Sequence, residues 1–173
     1  HEDRHQHRDQ GDGQNGGGRH GESLGEHGEE THGYMLHDST LRVPWIIADP
    51  KQTSRGFRVP APVSTVNLFP TLLEAAGVAT SPKEASLSVL SAVNGKEIAP
   101  QVCYSQTEEP YLQAFWSPLK GLTTERWRYV RTTKPELYDL QADPKELVNL
   151  AEKETDLLSE LDGELAAFES SLE

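Results

Sequence analysis

Glycine and histidine are concentrated in one short stretch, Arg19 to Pro44, and this stretch limits what the chain can fold into. It reads RHGESLGEHGEETHGYMLHDSTLRVP, and no histidine occurs after His37. Glycine inside a helix costs about 1 kcal/mol relative to alanine, so residues 20–38 are predicted to form a loop. Because glycine has no Cβ, the backbone and the imidazole of each His-Gly pair can both approach a ligand closely. Imidazoles and carboxylates on such a loop are the groups that a metal or anion site needs.

Length, charge and cysteine usage restrict the function classes. The chain has 173 residues and a net charge of -12 with no basic block, so nucleic-acid binding is disfavoured, because phosphate neutralisation needs clustered lysine and arginine. One domain, or a domain with a small subdomain, is expected. No apolar run is long enough to span a bilayer, and no signal-peptide pattern opens the sequence. Cys103 is the only cysteine, so no internal disulfide is possible and the redox compartment is undetermined.

The first half of the chain alternates polar and apolar segments. Residues 1–18 contain no aliphatic or aromatic side chain and are predicted to be disordered, because they cannot bury enough apolar surface to offset the entropy of ordering. The run Val43 to Ala48 is short, apolar and β-branched, which predicts a buried strand of a mainly parallel sheet. Ser64 is predicted to cap a helix that runs through Ala76, with Gly77 as its stop. The apolar face of this helix is predicted to comprise Val66, Phe69, Leu72, Leu73 and Ala76.

The second half changes to short strands and ends in a helix. Asp143 to Glu146 has the pattern of a capping box that opens one short turn. Half-buried antiparallel strands are predicted at VCYSQT, LKGLTT, RWRYVRTT and ELYDL, and Leu158, Leu161, Leu165, Phe168 and Leu172 follow the three-four spacing of an amphipathic helix. We therefore predict an α/β fold: the edge of a large mixed sheet with flanking helices, followed by a small antiparallel sheet packed on the terminal helix.

One family resemblance accounts for this order of segments. The stretch HGESLGEHGEETHGYMLHDSTLRVPWII resembles the late metal-ligand region of sulfatases of the alkaline-phosphatase superfamily, which has a hydrophobic strand, Asp-His-Gly-Glu, a Thr-His-Gly step and a run that ends in Arg-Val-Pro. The likeness continues through STVNLFPTLLEAAGV and WSPLKGLTTERWRYVRTTKPELYDLQADPKELVNLA. It covers roughly Arg19 to Ala151. It implies a tail at 1–18, the C-terminal part of the sulfatase catalytic domain at 19–98 and a C-terminal subdomain at 99–173.

The resemblance also implies roles for individual residues. His20 matches a position beside the family's metal-binding Asp and is the metal-ligand candidate, with Ca²⁺ as the expected ion, or else an ordinary loop histidine. Arg19 replaces that Asp, and a guanidinium cannot ligate a cation. His32 matches the Thr-His-Gly step and is the catalytic candidate, as hydrogen-bond or proton donor to the sulfate group; the alternative is a histidine that braces the loop. A reading-frame change upstream of His20 is one hypothesis for the loss of the Asp and its strand.

The other polar residues of the stretch are weaker candidates for a metal or catalytic site. His37 falls where relatives often carry an aromatic residue, so packing is expected, and His27 is interpreted as a supporting or exposed loop histidine. Arg42 is predicted to belong to a buried structural ion pair. Solvated carboxylates are expected at Glu22, Glu26, Glu29 and Glu30.

The sulfatase nucleophile is a formylglycine made from a Cys/Ser-x-Pro-x-Arg motif, and no segment of this chain matches that motif. Cys103 lies in a predicted strand and is interpreted as a small buried hydrophobe. The resemblance therefore implies the C-terminal fragment of a sulfuric ester hydrolase, inactive alone, whose N-terminal catalytic half supplies the nucleophile. Its substrate would be a small sulfate ester or a sulfated glycan. Localisation stays open, although relatives are often periplasmic, secreted or lysosomal.

Three alternatives remain open from the sequence. The first is a phosphodiester or phosphonate monoester hydrolase of the same superfamily, which shares the metal scaffold but can differ in nucleophile. The second is a non-catalytic accessory module that uses the His-rich loop to hold a transition metal, or the last helix to hold a partner. The third is the product of a decaying gene.

Overall fold

The computed structural model describes residues 21–48 and 58–172, and the elements in these ranges place the chain in the α/β class. The helices there are α1 (Asp38–Leu41), α2 (Leu68–Ala75), α3 (Pro82–Ala85), α4 (Glu109–Ala114) and α5 (Thr155–Ser170). The strands are β1 (Cys103–Thr107), β2 (Leu119–Thr123), β3 (Trp127–Arg131) and β4 (Glu136–Asp139). Short 3₁₀ turns occupy Glu26–Gly28, Thr65–Asn67 and Leu90–Asn94. None of the helices in these ranges has the length and apolar character that crossing a bilayer requires.

The strands form one antiparallel sheet in the order β1-β2-β3-β4, which confirms the small C-terminal sheet predicted from the sequence. Each strand pairs with its neighbour in the chain, so short turns suffice to connect them. Leu122, Tyr129 and Leu137 stand opposite one another across β2, β3 and β4. Since side chains alternate between the faces of a strand, these three form an apolar row on one face of the sheet.

Helix α5 covers this apolar row. Leu161 and Leu165 are buried with it in one core, as the three-four spacing predicted, whereas Phe168 and Leu172 of the same predicted face are exposed. At the side of the core, Asp162 accepts hydrogen bonds from Tyr129 Oη at 2.5 Å and from Arg131 Nε at 2.6 Å. Burial, and next the Asp162 carboxylate, raise the pKa of Tyr129 to about 12, so the phenol remains a donor. Apolar burial holds the helix on the sheet, and these bonds fix its position.

Leu165→Ala is expected to lower the free energy of unfolding by about 2–5 kcal/mol, because it removes a fully buried side chain and leaves a cavity. Leu165 is 0% exposed in the core. Leu172→Ala is the matched control: Leu172 is 66% exposed, and its truncation should change the free energy by less than about 0.5 kcal/mol. Urea unfolding followed by circular dichroism measures both. Equal effects for the two variants would mean that α5 does not pack as described.

The opposite face of the sheet is also covered, by the segment around Leu36. That side chain lies over Gly121, where an added Cβ would come within 3.4 Å of Leu36 Cδ1. The successive residues Arg128, Tyr129 and Val130 of β3 are all buried. The prediction that β3 is half-buried is therefore wrong, because a second layer of chain covers the face that carries the arginine.

Helix α2 begins after a capped 3₁₀ turn. The hydroxyl of Ser64 accepts a hydrogen bond from Val66 N–H, while Ser64 N–H donates to Asn67 Oδ1 at 2.7 Å. The α-helix then starts at Leu68, and Gly77 follows it with φ of 70°, the left-handed conformation that ends helices. The predicted cap at Ser64 and the predicted helix end at Gly77 are both confirmed.

The apolar face predicted for α2 is exposed at Val66, Phe69 and Leu72. The buried residues of this region are Asn67, Pro70 and Thr71. The side chains of Asn67 and Thr71 hydrogen-bond to the backbone of the connection that follows α3. Exposed apolar groups that stand together mark a surface that another segment or partner covers.

The strand predicted at residues 43–48 is not formed, and Ile46 and Ile47 are exposed. A strand needs a neighbour to satisfy its backbone groups, and in the described part of the chain the paired strands are β1 to β4 alone. The apolar run is thus a candidate strand without a sheet beside it.

Candidate functional site

The loop that carries the candidate residues is folded back on itself by backbone hydrogen bonds. Gly21 N–H donates to Thr40 O at 2.9 Å, and Ser23 N–H donates to Thr31 O at 2.7 Å. A Cβ at Gly21 would collide with carbonyl oxygens of α1, so this approach of loop to helix requires glycine. The start of the loop is therefore attached to the segment that covers the sheet.

Glu29 holds the next part of the loop in place. Its two carboxylate oxygens accept hydrogen bonds from the backbone N–H groups of Tyr34 (2.7 Å) and Met35 (3.2 Å), and the side chain is buried. The expectation that all four glutamates of the loop are solvated is wrong for Glu29, because it satisfies buried backbone donors. The exposed glutamates are Glu22, Glu26 and Glu30.

His32, the catalytic candidate, lies at the surface of this loop with 47% of its side chain exposed. Its Nδ1 atom is 3.4 Å from Glu22 Oε1, so a carboxylate faces one nitrogen of the ring. The following residue, Gly33, has φ of 103°, and its carbonyl accepts a hydrogen bond from Thr107 Oγ1 of β1. The backbone beside His32 is thus fixed to the sheet, while its ring faces outward.

The metal candidate His20 and its neighbour Arg19 lie outside the described residues, as does the tail at 1–18. The metal-ligand role of His20 therefore stays a prediction. The chemistry of the donors argues against calcium at this position, since Arg19 offers no lone pair where an Asp carboxylate is expected.

His37 is buried, as expected for a packing position, but its neighbours are polar. Its ring stacks on His27 with 3.7 Å between centroids and 13° between planes, and it meets Tyr138 edge-on at 5.6 Å. Its Nδ1 is 3.5 Å from Glu146 and its Nε2 is 3.9 Å from Glu136. His27 is half-buried and belongs to this cluster, so the interpretation as an exposed loop histidine is wrong.

Arg128 and Glu146 form the centre of this cluster. Arg128 Nη1 donates to Leu36 O at 3.1 Å, Nη2 donates to Asp38 Oδ1 at 2.7 Å, and Nη1 is 3.2 Å from Glu146 Oε1. Glu146 Oε2 accepts from Asp38 N–H at 2.8 Å, at the first residue of α1. Burial by itself raises the pKa of Glu146, but the His37 ring, the Arg128 charge and that N–H together hold it below its usual value.

The role predicted for Glu146 as the last member of a capping box is wrong. The chain does turn at residues 144–145, and Asp143 accepts from Val148 N–H at 2.7 Å, but no helix follows. Glu146 has φ of 54° and points into the protein, toward Arg128. The ion pair between Glu146 and Arg128 replaces the local cap. The sequence signal for this pair was the position of Arg128 inside an apolar strand.

Arg42 is not the buried ion-pair member that the sequence predicted. Its side chain is 80% exposed, and Nη1 contacts Asp38 Oδ2 at 3.3 Å. Arg128 takes the buried position against the other oxygen of the same carboxylate. Both arginines therefore pair with Asp38, but only Arg128 is buried.

The cluster around Glu146 also differs from a calcium site. Calcium takes about six to eight oxygen ligands, whereas His27, His37 and Glu146 offer two imidazoles and one carboxylate. These residues do not fit the ion that the family resemblance implies.

Comparison with known proteins identifies the same pattern of segments elsewhere. The family described as "N-sulphoglucosamine sulphohydrolase, C-terminal" matches residues 25–170. The choline-sulfatase of Rhizobium meliloti (strain 1021) is 35% identical over 138 residues, which cover 77% of this chain and 26% of that protein. Arylsulfatase K of Mus musculus is 26% identical over 160 residues, which cover 86% of this chain and 28% of that protein.

The fold agrees with a solved structure of the same kind. The structure of BT1596, a 2-O GAG sulfatase, superposes with a TM-score of 0.65 at 25% identity, and the match covers 88% of this chain and 34% of that one. The chain thus spans between a quarter and about a third of the length of these proteins. It is similar to their C-terminal part, as the family match indicates.

Proposed function

Because the chain belongs to the sulfatase family, through its match to the N-sulphoglucosamine sulphohydrolase C-terminal family over residues 25–170, we propose that it is the C-terminal portion of a sulfuric ester hydrolase. The observation that carries the proposal is the loop at residues 21–33, which is tied to α1 at one end and to β1 at the other and carries His32 at its surface. A fixed backbone with an outward imidazole is what a residue needs if it is to act on a bound sulfate ester.

His32 acts in this proposal on the oxygen that leaves sulfur. As the S–O bond breaks, negative charge develops on that oxygen, and an imidazolium within hydrogen-bond reach can donate a hydrogen bond or a proton to it. The Glu22 carboxylate at 3.4 Å from Nδ1 orients the ring. A histidine suits this role because its charge changes near neutral pH.

The divalent ion of the site, calcium by family resemblance, would neutralise part of the sulfate charge when bound. Its candidate ligand in this chain is His20, and Arg19 takes the place of the expected Asp. We infer that Arg19 weakens or abolishes that ion's binding, since a guanidinium is a fixed cation. The role of His32 does not depend on this ion.

The chain alone is proposed to be inactive. A sulfatase nucleophile is expected in a Cys/Ser-x-Pro-x-Arg segment, and the sequence of this chain has none. The exposed apolar side chains of α2 and of residues 46–47 support the proposal that a further part of the protein, the N-terminal catalytic half, packs there. The substrate class is a sulfate ester of a small molecule or a glycan.

The purified chain is expected to release no 4-nitrophenol from 4-nitrophenyl sulfate above the buffer rate. The same gene, extended upstream until it encodes Cys/Ser-x-Pro-x-Arg, should give an enzyme that does. Bis(4-nitrophenyl) phosphate and a phosphonate monoester are the matched substrates for the alternative hydrolase. Turnover by the chain alone, or an extended enzyme that prefers the phosphorus substrates, would contradict the proposal.

A further inference from the structure

We propose that His27, His37 and Glu146 form a binding site for a transition metal of the Zn²⁺ class. This site lies in the described part of the chain and uses neither His20 nor His32. Each of the three residues offers one donor atom, and these atoms all lie within 4.8 Å of one another. Two imidazole nitrogens and one carboxylate oxygen are a donor set that zinc takes readily and that calcium does not.

The distances require only a small closure of the cluster. Donors that share a tetrahedral zinc ion at about 2.0–2.2 Å lie roughly 3.4 Å apart, so a separation at the 4.8 Å limit must shorten by about 1.4 Å. His27 is the member that can move, because it is half-buried in a 3₁₀ turn at the surface. Its ring now stacks on His37, and it must turn out of the stack for an ion to lie in the plane of both rings.

Three buried side-chain atoms around Glu146 lack a hydrogen bond in the described residues: Arg128 Nε and two potential metal ligands. His37 Nδ1 and Glu146 Oε1 have no hydrogen-bond partner in the described residues, although Oε1 faces the Arg128 guanidinium. Both side chains are more than nine-tenths buried. Since an unpaired buried polar atom costs about 1–3 kcal/mol, a ligand that both atoms contact would remove the cost.

The charges around the cluster favour a cation. The carboxylates of Glu146, Asp38 and Glu136 face the imidazoles or the guanidinium of Arg128, and Tyr138 adds a neutral ring at the edge. These three carboxylates outnumber the two guanidinium groups that contact them, those of Arg128 and Arg42. An added divalent cation compensates this excess, while the Arg128 charge limits how much further positive charge the site attracts.

The backbone of the cluster is held in an unusual conformation at two of its members. In the described residues, the non-glycine residues with positive φ are His27, Phe115 and Glu146, and two of these belong to the cluster. Such conformations cost of order 1–3 kcal/mol and persist where the surroundings compensate. A metal ion would join the 3₁₀ turn that carries His27 to the turn that carries Glu146, and so stabilise both.

The test is calorimetric titration of the full 173-residue chain with ZnCl₂ after treatment with EDTA. To remove background binding by the remaining histidines, all proteins carry glutamine at His1, His5, His7 and His20. In this background we expect saturable zinc binding and no heat with CaCl₂. His27→Asn should weaken zinc binding roughly tenfold or more, because even the loss of an outer partner of a ligand costs about 10–100-fold. Asparagine tolerates the left-handed backbone at this position.

His32→Asn is the matched control, an exposed histidine of the same loop that should leave zinc affinity unchanged. Glu146→Gln, checked for folding by circular dichroism, should weaken binding as His27→Asn does. Zinc should also raise the thermal midpoint of the background protein but not of His27→Asn, because a ligand that binds only the folded state stabilises it. Absence of saturable heat, or equal losses in His27→Asn and His32→Asn, would overturn the proposal. If the thermal midpoint rose equally in the background protein and in His27→Asn, that result would overturn it too.

Discussion

Arg128→Met is expected to lower the free energy of unfolding of this chain by about 3–5 kcal/mol, because it leaves buried carboxylate charge without a partner. The Arg128 side chain is 3% exposed and contacts Glu146, Asp38 and the carbonyl of Leu36. Methionine has a similar length, so the loss measures the charge and the hydrogen bonds more than the packing. Urea unfolding followed by circular dichroism gives the difference.

Arg42→Met is the matched control for this prediction. Arg42 contacts the same Asp38 carboxylate, but its side chain is 80% exposed. An exposed pair of this spacing contributes about 0.3–0.5 kcal/mol, so the control should scarcely change stability. The double variant Arg128→Met, Glu146→Gln should lose less than the sum of the two single variants, because the residues act as one unit. A loss below about 1 kcal/mol for Arg128→Met would contradict the role given to the buried pair.

The sequence predicted the C-terminal half well because local signals decide its structure. Antiparallel strands that follow one another need only short turns, and the spacing of Leu161 and Leu165 identifies the face of α5 that packs. The helix stop at Gly77 is equally local, since left-handed backbone favours glycine. In each case the residues that determine the element lie within it or next to it.

The errors arose where distant residues decide the structure. Glu146 follows a local capping pattern, yet it turns inward because Arg128 and Asp38 N–H lie within reach. β3 was expected to face solvent on one side, but Leu36 covers it there. Neither contact can be derived from spacing within one element, because each joins segments that are far apart in the chain.

Two further differences between the predicted and the observed structure concern apolar surfaces that were expected to be buried. The run at 43–48 and the apolar face of α2 have the composition of buried elements, yet both are exposed. Hydrophobic pattern predicts that a face packs, but it does not identify what it packs against. In a larger sulfatase of which this chain is one portion, the remaining portion would cover both surfaces.

The loop at 21–33 was predicted correctly as a loop, but its internal contacts were not. Glycine content and His-Gly spacing favour a loop, whereas the burial of Glu29 depends on which backbone donors it meets. Stacking of His27 on His37 likewise depends on the fold of the whole segment. Candidate residues could therefore be named from the sequence, but not sorted into buried and exposed ones.

In the extended, active enzyme, His32→Asn is expected to lower kcat/KM for an alkyl sulfate by about 10²–10⁴-fold, the usual contribution of a general acid. The loss should be smaller for 4-nitrophenyl sulfate, because nitrophenolate is a stable leaving group and needs little help from a proton donor. Stability should change little, since the His32 side chain is about half exposed. A residue that only braces the loop would lower the rates for both substrates equally.

Glu30→Gln is the control for this series, an exposed neighbour of the same loop that removes a charge without reaching the proposed site. It should leave both rates close to those of the parent enzyme. The most direct test of the central claim is therefore the ratio of kcat/KM for the alkyl and nitrophenyl sulfates, measured in the parent and in His32→Asn. We predict that this ratio falls at least tenfold in the variant. An unchanged ratio, or full activity without His32, would contradict the assignment of this loop to a sulfatase site.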